Sequence, residues 1–371
     1  MMITRWTIKS LLRDPMGLLG SAAAIAAALV LVMLFEAVWL GESRQIVAYA
    51  SRTDADVWVM QKGVSNMHMA SSLVPTWKED SVGRVEGVAD VTPILYLNSI
   101  VRVGNRDWFA YVVGLETGAP RGGPWAMTQG DGELRPGQAI VPDLMASISG
   151  EGLGGTVRIA DKTLAITGLS SGTFSMGNPV LFVHASDLDD VLSASGYVSY
   201  LLVKAQPGVR PEALAAAIRE RVDKVSVMPR DAFIRSDYQM AVMMGVELIG
   251  LFTAIGASLA VLLITFTLYT HTLRRRRELA VLKALGFRRR HIYASVVIEA
   301  LVLSALGFAL AYLLAQGAIA LTALLAPQIT MLLTGAILAK VGLMGAAVAL
   351  AATLIPAHQV ARIDPQTVFQ S

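Results

Sequence analysis

The chain contains no cysteine, so thiol catalysis, thiolate zinc sites, disulfide staples and redox switching are excluded. It has no G-x-x-x-x-G-K-[ST] loop and therefore no P-loop of its own for a nucleotide. Charge is also sparse. Of 371 residues 16% are charged and 54% hydrophobic, with mean hydropathy +0.55: too apolar for a soluble two-domain protein, too polar for a many-pass channel.

The apolar residues are concentrated in four runs. The first, Met16 to Phe35, has the ~20 residues that cross a ~30 Å hydrocarbon core. Arg5, Lys9 and Arg13 before it resemble a signal-peptide n-region, but the run exceeds the usual ~7–15 residues and no convincing small-x-small cleavage site follows, so a retained helix is expected. Further runs cover about Met240 to Thr270, Ile292 to Leu325 and Met331 to Ile355. Each is long enough to cross with tilt or protrusion. Pro327 lies in the short link between the last two, which predicts a tight antiparallel hairpin.

Lys and Arg set the expected orientation. Arg5, Lys9 and Arg13 precede the first run, and Arg274 to Arg277, Lys283 and Arg288 to Arg290 fill the link between the second and third, which makes both segments cytoplasmic. The segment from Gly41 to Ala241 holds 18 Lys plus Arg against 22 Asp plus Glu and is expected outside. The pI near 9.1 is thus a topological effect, and nucleic-acid binding is rejected. The fold class expected is a membrane α-helical protein of four transmembrane helices with a large extracytoplasmic α+β domain between helices 1 and 2. The divisions are 1–40, N-terminal segment and helix 1; 41–239, outer domain; 240–273, helix 2 with a stalk; 274–291, a cytoplasmic helix; 292–325 and 331–357, helices 3 and 4; 358–371, a cytoplasmic tail.

Within the outer segment, Ser99 to Val103 and Trp108 to Leu115 flank Gly104-Asn105 as a hairpin. Ala55 to Met60, Thr156 to Ala160, Leu164 to Leu169, Val180 to Val183 and Tyr200 to Val203 read as strands. Helices are expected over Ser72 to Arg84, Asp187 to Ser193 and Pro211 to Val222, the last with Pro211 in its first turn and Leu214, Ile218 and Val222 on one face. Met67-His68-Met69 has soft-metal ligand types, but three chain neighbours converge poorly, and packing is the expected role. Asp187, Asp189 and Asp190 read as acidic residues at a helix start rather than a cation site. Ser170, Ser171 and Ser175 sit in a loop, and His184 has no evident carboxylate partner, so no hydrolase site is expected.

The link from Arg274 to Phe287 reads R-R-R-R-E-L-A-V-L-K-A-L-G-F. Leu279, Leu282 and Leu285, with Val281 beside them, mark an apolar stripe on a short helix stopped at Gly286. Anchoring to anionic lipid would explain the arginines but not the stripe. Glu247, Glu299 and Lys340 fall within or beside the spans, where an ionisable group is costly and usually functional. Glu299 suggests a helix–helix contact. Lys340 either pairs with Glu247 or snorkels. Gly342 and Gly345 give the fourth helix a smooth face for close packing.

That link, followed by Ile292 to Leu310 with Glu299 and Gly307, resembles the FtsX/MacB/LolC (type VII) ABC-transporter permease subunits, and among them the DevC-like ones without a fused ATPase. The ending Pro356 to Phe369 resembles the family's terminal pattern, and A-I-V-P-D with G-G-T-V-R-I, within Gln138 to Gly168, resembles its MacB-like periplasmic domain. Ala280 departs from the Gly of many relatives, but Ala forms helix better, so the element should survive.

The resemblance implies a non-catalytic subunit of an ATP-driven exporter in the bacterial inner membrane, with both termini cytoplasmic. A separate ABC ATPase would bind ATP and Mg, and this chain would hold no cofactor or metal. Movement of the ATPase would reach the outer domain through the spanning helices, with Tyr238 to Gly256 as a stiff lever, and act on a lipid, lipoprotein, peptide or hydrophobic small molecule. Implied partners are the ATPase, a second permease copy as a homodimer or pair, a periplasmic adaptor and membrane lipids. The implied ATPase-facing set is Glu278, Leu279, Leu282, Lys283, Leu285, Gly286 and Phe287, with the apolar members filling a groove and Glu278 and Lys283 setting orientation. The alternative is a regulator that activates a cell-wall hydrolase, as cell-division members do, although those carry a smaller outer domain. A membrane-bound enzyme has no catalytic constellation behind it.

Overall fold

The computed structural model describes residues 2–68, 71–175, 178–241, 243, 247–285 and 287–362. The chain begins with α1 (Met2–Leu11) and α2 (Pro15–Ile46). Helix α2 starts where it does because Pro15 needs no helical N–H and the Asp14 carboxylate accepts from Gly17 N at 3.0 Å. Next come α3 (Ala48–Arg52), β1 (Val57–Gln61), β2 (Val74–Pro75), α4 (Trp77–Gly83), β3 (Val88–Val103), β4 (Arg106–Leu115), β5 (Met127–Gly130), β6 (Gln138–Pro142), α5 (Asp143–Ser149), β7 (Thr156–Ile159) and β8 (Lys162–Ser170). They are followed by β9 (Val180–His184), α6 (Ala185–Leu192), β10 (Tyr197–Val198), β11 (Tyr200–Ala205), α7 (Pro211–Arg221), β12 (Val225–Pro229) and α8 (Arg230–Ala241). The C-terminal third is α9 (Glu247–Arg274), α10 (Arg276–Ala284), α11 (Arg289–Leu325) and α12 (Gly335–Arg362).

The chain divides into two units, one formed by residues 1–40, 248–326 and 331–371 and the other by 41–247 with 327–330. The second unit is built on a ten-stranded sheet of order β12-β1-β11-β3-β4-β9-β6-β8-β5, with β7 pairing β3 and β8. Strand β3 joins its halves: residues 88–94 pair with β11, and 95–103 pair with β4. The β3–β4 hairpin turns at Gly104 and Asn105, and Gly104 has φ +57, the requirement at the first central position of a type II′ turn. Period-two alternation sorts β1 onto two cores. Val57 and Val59 pack with Leu214 and Ile218 of α7, whereas Trp58 and Met60 pack with Tyr49 and Phe233. A third core joins β3, β4, β6 and β9 to Met145 of α5 and Leu188 of α6.

In the first unit α2, α9, α11 and α12 are each long and apolar enough to cross a membrane. Ile25, Leu29, Ile264, Leu303 and Val341 lie inside, while Leu262, Phe266, Leu313, Leu343 and Leu354 are exposed, a leucine-rich outer surface suited to lipid rather than water. Close approach depends on glycine. A Cβ at Gly307 would sit 2.6 Å from Ile25 Cγ2 and 3.2 Å from the Ala22 carbonyl oxygen. Gly342 faces Phe308, and Gly345 faces Leu29, as the smooth-face reading of α12 requires.

Several expectations need correction. The helix expected from Ser72 begins at Trp77, because Pro75 holds Val74 extended and the pair forms a short strand with β10. Residues 331–334 lie outside the helix, and Leu332 N donates to the Ala37 carbonyl at 2.9 Å, so α12 starts later than the apolar run. The lever expected from Tyr238 to Gly256 crosses residues 242 and 244–246, which lie outside the described residues; Tyr238 belongs to α8 and Gly256 to α9.

Candidate functional site

The most concentrated polar chemistry in the helical unit lies where α9 turns into α10. Arg275 is the residue before α10, and His271 precedes it by four positions, so both project from one face. Each reaches Glu299 of α11: Arg275 Nη1 donates to Oε1 at 2.5 Å, and His271 Nε2 lies 2.5 Å from the same oxygen. The Glu299 side chain is 3% exposed and that of His271 8%, which leaves almost no water to screen them. A carboxylate only accepts, so a proton sits on His271 Nε2, and Nδ1 lies 3.0 Å from Ser21 Oγ.

The node extends to α1 and α10. Arg275 donates from Nη2 to Glu278 Oε2 at 2.8 Å and also to Ser10, and Ser10 Oγ donates to Glu278 Oε2 at 2.7 Å. Thr7 and Ser295 hydroxyls meet at 2.9 Å one turn away. Burial tends to raise the Glu278 pKa, but hydrogen bonds from Arg275 and Ser10 outweigh it and hold the carboxyl below its ordinary range. Burial likewise pulls the Arg275 guanidinium down, and the Glu299 and Glu278 charges more than offset it, leaving it above its ordinary value. One arginine therefore ties the start of α10 to α1, α9 and α11.

The apolar stripe of α10 faces inward. Leu279 is 1% exposed and Leu282 8%, packed against Ile292 and Val296 of α11 and Ala357 of α12. Half-buried Phe287 joins the same cluster. The expected groove-filling role for Leu279 and Leu282 is thus corrected: hydrophobic burial within the chain's own helices has taken them. The outward apolar residues are Leu285, 71% exposed, and Val281, 41% exposed, flanked by exposed Arg276 and Arg277. Lys283 is half-buried, and Gly286 lies outside the described residues.

Lys340 pairs with Glu36 of α2, Nζ to Oε1 at 2.6 Å, because α12 packs beside α2. Of the two expected roles, pairing with Glu247 or snorkelling, neither named Glu36, and the Glu247 side chain lies outside the described residues. Sequence reading singled out Glu299 but missed its partners His271 and Arg275; the signal available was their i,i+4 spacing beside a buried carboxylate.

In the sheet unit, His68 donates from Nδ1 to Asp237 at 2.8 Å and packs edge-on to Tyr111, while Met69 of the motif lies outside the described residues. Asp187 opens α6 but also accepts from Gly137 N at 2.7 Å. His184 caps α6 through Ser186 N, and its Nε2 lies 3.5 Å from Glu116, a carboxylate partner the sequence did not reveal. Ser170 Oγ bonds Thr173, and Ser175 Oγ bonds Asn178, so neither hydroxyl is presented as a nucleophile.

Fold and node together define a multi-pass membrane subunit with a sheet-rich domain between its first and second long helices. The MacB-like periplasmic core domain family matches residues 18–221, over half the chain, and the FtsX-like permease C-terminal family matches residues 250–365. The chain therefore belongs to the MacB/FtsX-type family of ABC transporter permeases. An uncharacterized ABC transporter permease of Mycobacterium tuberculosis H37Rv is 24% identical over 318 residues, covering 85% of this chain and 84% of that protein. Another, of Mycobacterium bovis, is 25% identical over 321 residues with coverages of 85% and 84%. Among solved structures, the periplasmic region of MacB from Actinobacillus actinomycetemcomitans is 13% identical, covers 51% of this chain and 94% of that chain, and has a TM-score of 0.37. The extracellular domain of the noncanonic ABC-type transporter YknZ from Gram-positive bacteria is 12% identical, covers 47% and 98%, and has a TM-score of 0.35.

Proposed function

We propose that this permease is a non-catalytic force-transmitting subunit. ATP and Mg are bound by a separate ATPase, α10 takes up the ATPase movement, and the long helices carry it to the sheet domain. The observation that carries this reading is the Arg275 node: a push on α10 is delivered to α1, α9 and α11 through charge-assisted bonds rather than lost in a loose turn. The ATPase-facing surface is then Leu285 and Val281 with Arg276 and Arg277, whereas Leu279, Leu282 and Glu278 key α10 to its own chain. The positive flanks support a cytoplasmic side for α10 and both termini at the inner membrane, with the sheet domain outside. Four spans are few for one pathway, so two permease copies pair around two ATPase subunits. The work is done on a lipid, lipoprotein, peptide or hydrophobic small molecule, with a periplasmic adaptor as a further partner. The MacB-like match over residues 18–221 supports export over activation of a wall hydrolase.

The test is coupled ATP hydrolysis by the permease with its ATPase in liposomes. Leu285→Asp is expected to weaken association at least about tenfold. Glu299→Gln should leave association intact but abolish the permease-dependent change in turnover. Unchanged association with the first and unchanged turnover with the second would sink the proposal.

A further inference from the structure

The first turns of α2 and the last turns of α9 enclose a cavity of about 240 Å³ at one end of the helical bundle. The two helix ends lie at one level, as the 3.0 Å contact of Ser21 with His271 requires. Both helices are long and apolar enough to cross a bilayer, so this end of the bundle falls where hydrocarbon gives way to headgroups. The cavity is below the ~300–1,000 Å³ of a drug-sized ligand, which suits a headgroup rather than a whole lipid.

Its lining changes character along the helices. Met16 and Phe266, 87% and 68% exposed, give it an apolar flank open to acyl chains. Asp14 and Arg274 give it one charge of each sign. The Asp14 carboxylate folds over the start of α2, with Oδ1 accepting from Gly17 N, and only glycine permits this, because a Cβ at position 17 would sit 2.1 Å from Oδ2. The neighbouring Arg275 is turned to Glu299 and Glu278, whereas Arg274 makes no hydrogen bond or ion pair among the described residues, with Asp14 or any other. The cavity therefore presents an uncommitted cation and a carboxylate with acceptor capacity to spare.

We propose that this cavity holds the headgroup of a phosphatidylethanolamine, with the phosphate on Arg274, the primary ammonium donating to Asp14, and the acyl chains lying over Met16 and Phe266. Phosphatidylglycerol brings no cation for Asp14, and the quaternary ammonium of phosphatidylcholine has no N–H to donate. The inference needs only that these helices lie in a bilayer; it stands whether or not α10 couples to an ATPase.

The test titrates the full chain in detergent with each of the three lipids and reads bound lipid by native mass spectrometry. Phosphatidylethanolamine should bind at least about tenfold more tightly than the other two. Arg274→Gln should weaken it about tenfold, against no change for Arg290→Gln, an exposed arginine outside the cavity. Asp14→Asn keeps a good helix cap but should erase the preference over phosphatidylcholine. A Cβ at Gly20 meets nothing within 4 Å, so Gly20→Phe should fill the cavity and block the lipid while leaving the melting temperature unchanged. Soluble O-phosphoethanolamine, which lacks the chains, should compete at least about a hundredfold more weakly. Equal affinity for the three lipids, equal losses in Arg274→Gln and Arg290→Gln, a preference that survives Asp14→Asn, or equal competition by the soluble headgroup would overturn the proposal.

Discussion

Replacing Glu299 with Gln removes the single anion that Arg275 Nη1 and His271 Nε2 share, while keeping side-chain volume almost unchanged. Breaking a buried ion pair by removing one partner costs about 3–5 kcal/mol. Arg275 keeps Glu278 and Ser10, so the bottom of that range applies, about 3 kcal/mol, which lowers Tm by about 6–12 °C for a unit of this size. Arg275→Met strands the Glu299 carboxylate with His271 alone and should cost about 3 kcal/mol. The double variant removes both charges, so its loss should fall short of the sum of the singles by at least about 1 kcal/mol. The assay is thermal unfolding of purified protein followed by tryptophan fluorescence, with Trp6 reporting from the cluster that holds α10. A Glu299→Gln cost below about 0.5 kcal/mol, or additive losses in the cycle, would refute the claim that this node keys α10 to the bundle.

Other perturbations test the rest of the fold. Phe233→Ala deletes a ring stacked on buried Trp58 with centroids 4.2 Å apart and should destabilise the sheet unit by about 3–5 kcal/mol, measured by denaturant midpoint. Gly307→Val drives new atoms into Ile25 and the Ala22 carbonyl; a loss of about 1–3 kcal/mol in thermal unfolding is expected, against little change for Gly317→Val, which meets open space. Because the Glu278 carboxyl is held below its ordinary 4.5, its contribution is fully present above that value and is lost as pH falls through its lowered folded pKa. A stability profile from pH 6 downward should therefore steepen below about 4.5, and less so in Glu278→Gln. Burial, the leading cause, pushes the Tyr49, Tyr96, Tyr111 and Tyr200 phenols above their ordinary 10.0. The stability this gives is complete below pH 10 and drains as pH rises further, so in an ultraviolet titration these phenolates should appear only as structure is lost.

The four long helices, the amphipathic α10, the β3–β4 hairpin at Gly104 and the half-buried helix at Pro211 were legible in sequence. Each rests on a property of a few neighbouring residues: apolar length, stripe period, a turn glycine or a helix-start proline. Where the chain's polar groups meet was not. Glu299 stood out as a carboxylate in an apolar run, yet its partners His271 and Arg275 lie more than twenty residues away, and the serines that complete the node lie near residue 10 and residue 21. Lys340 offered no means of choosing Glu36 over Glu247, because the choice depends on which helix packs against α12. The direction of the α10 stripe was equally undetermined: an amphipathic helix shows that one face must be buried, while only the positions of Ile292, Val296 and Ala357 decided that its own chain covers it. Local hydrophobicity and backbone preference act along the chain and can be read from it, whereas ion pairing and packing act across space, and that distance is set only when the helices are assembled.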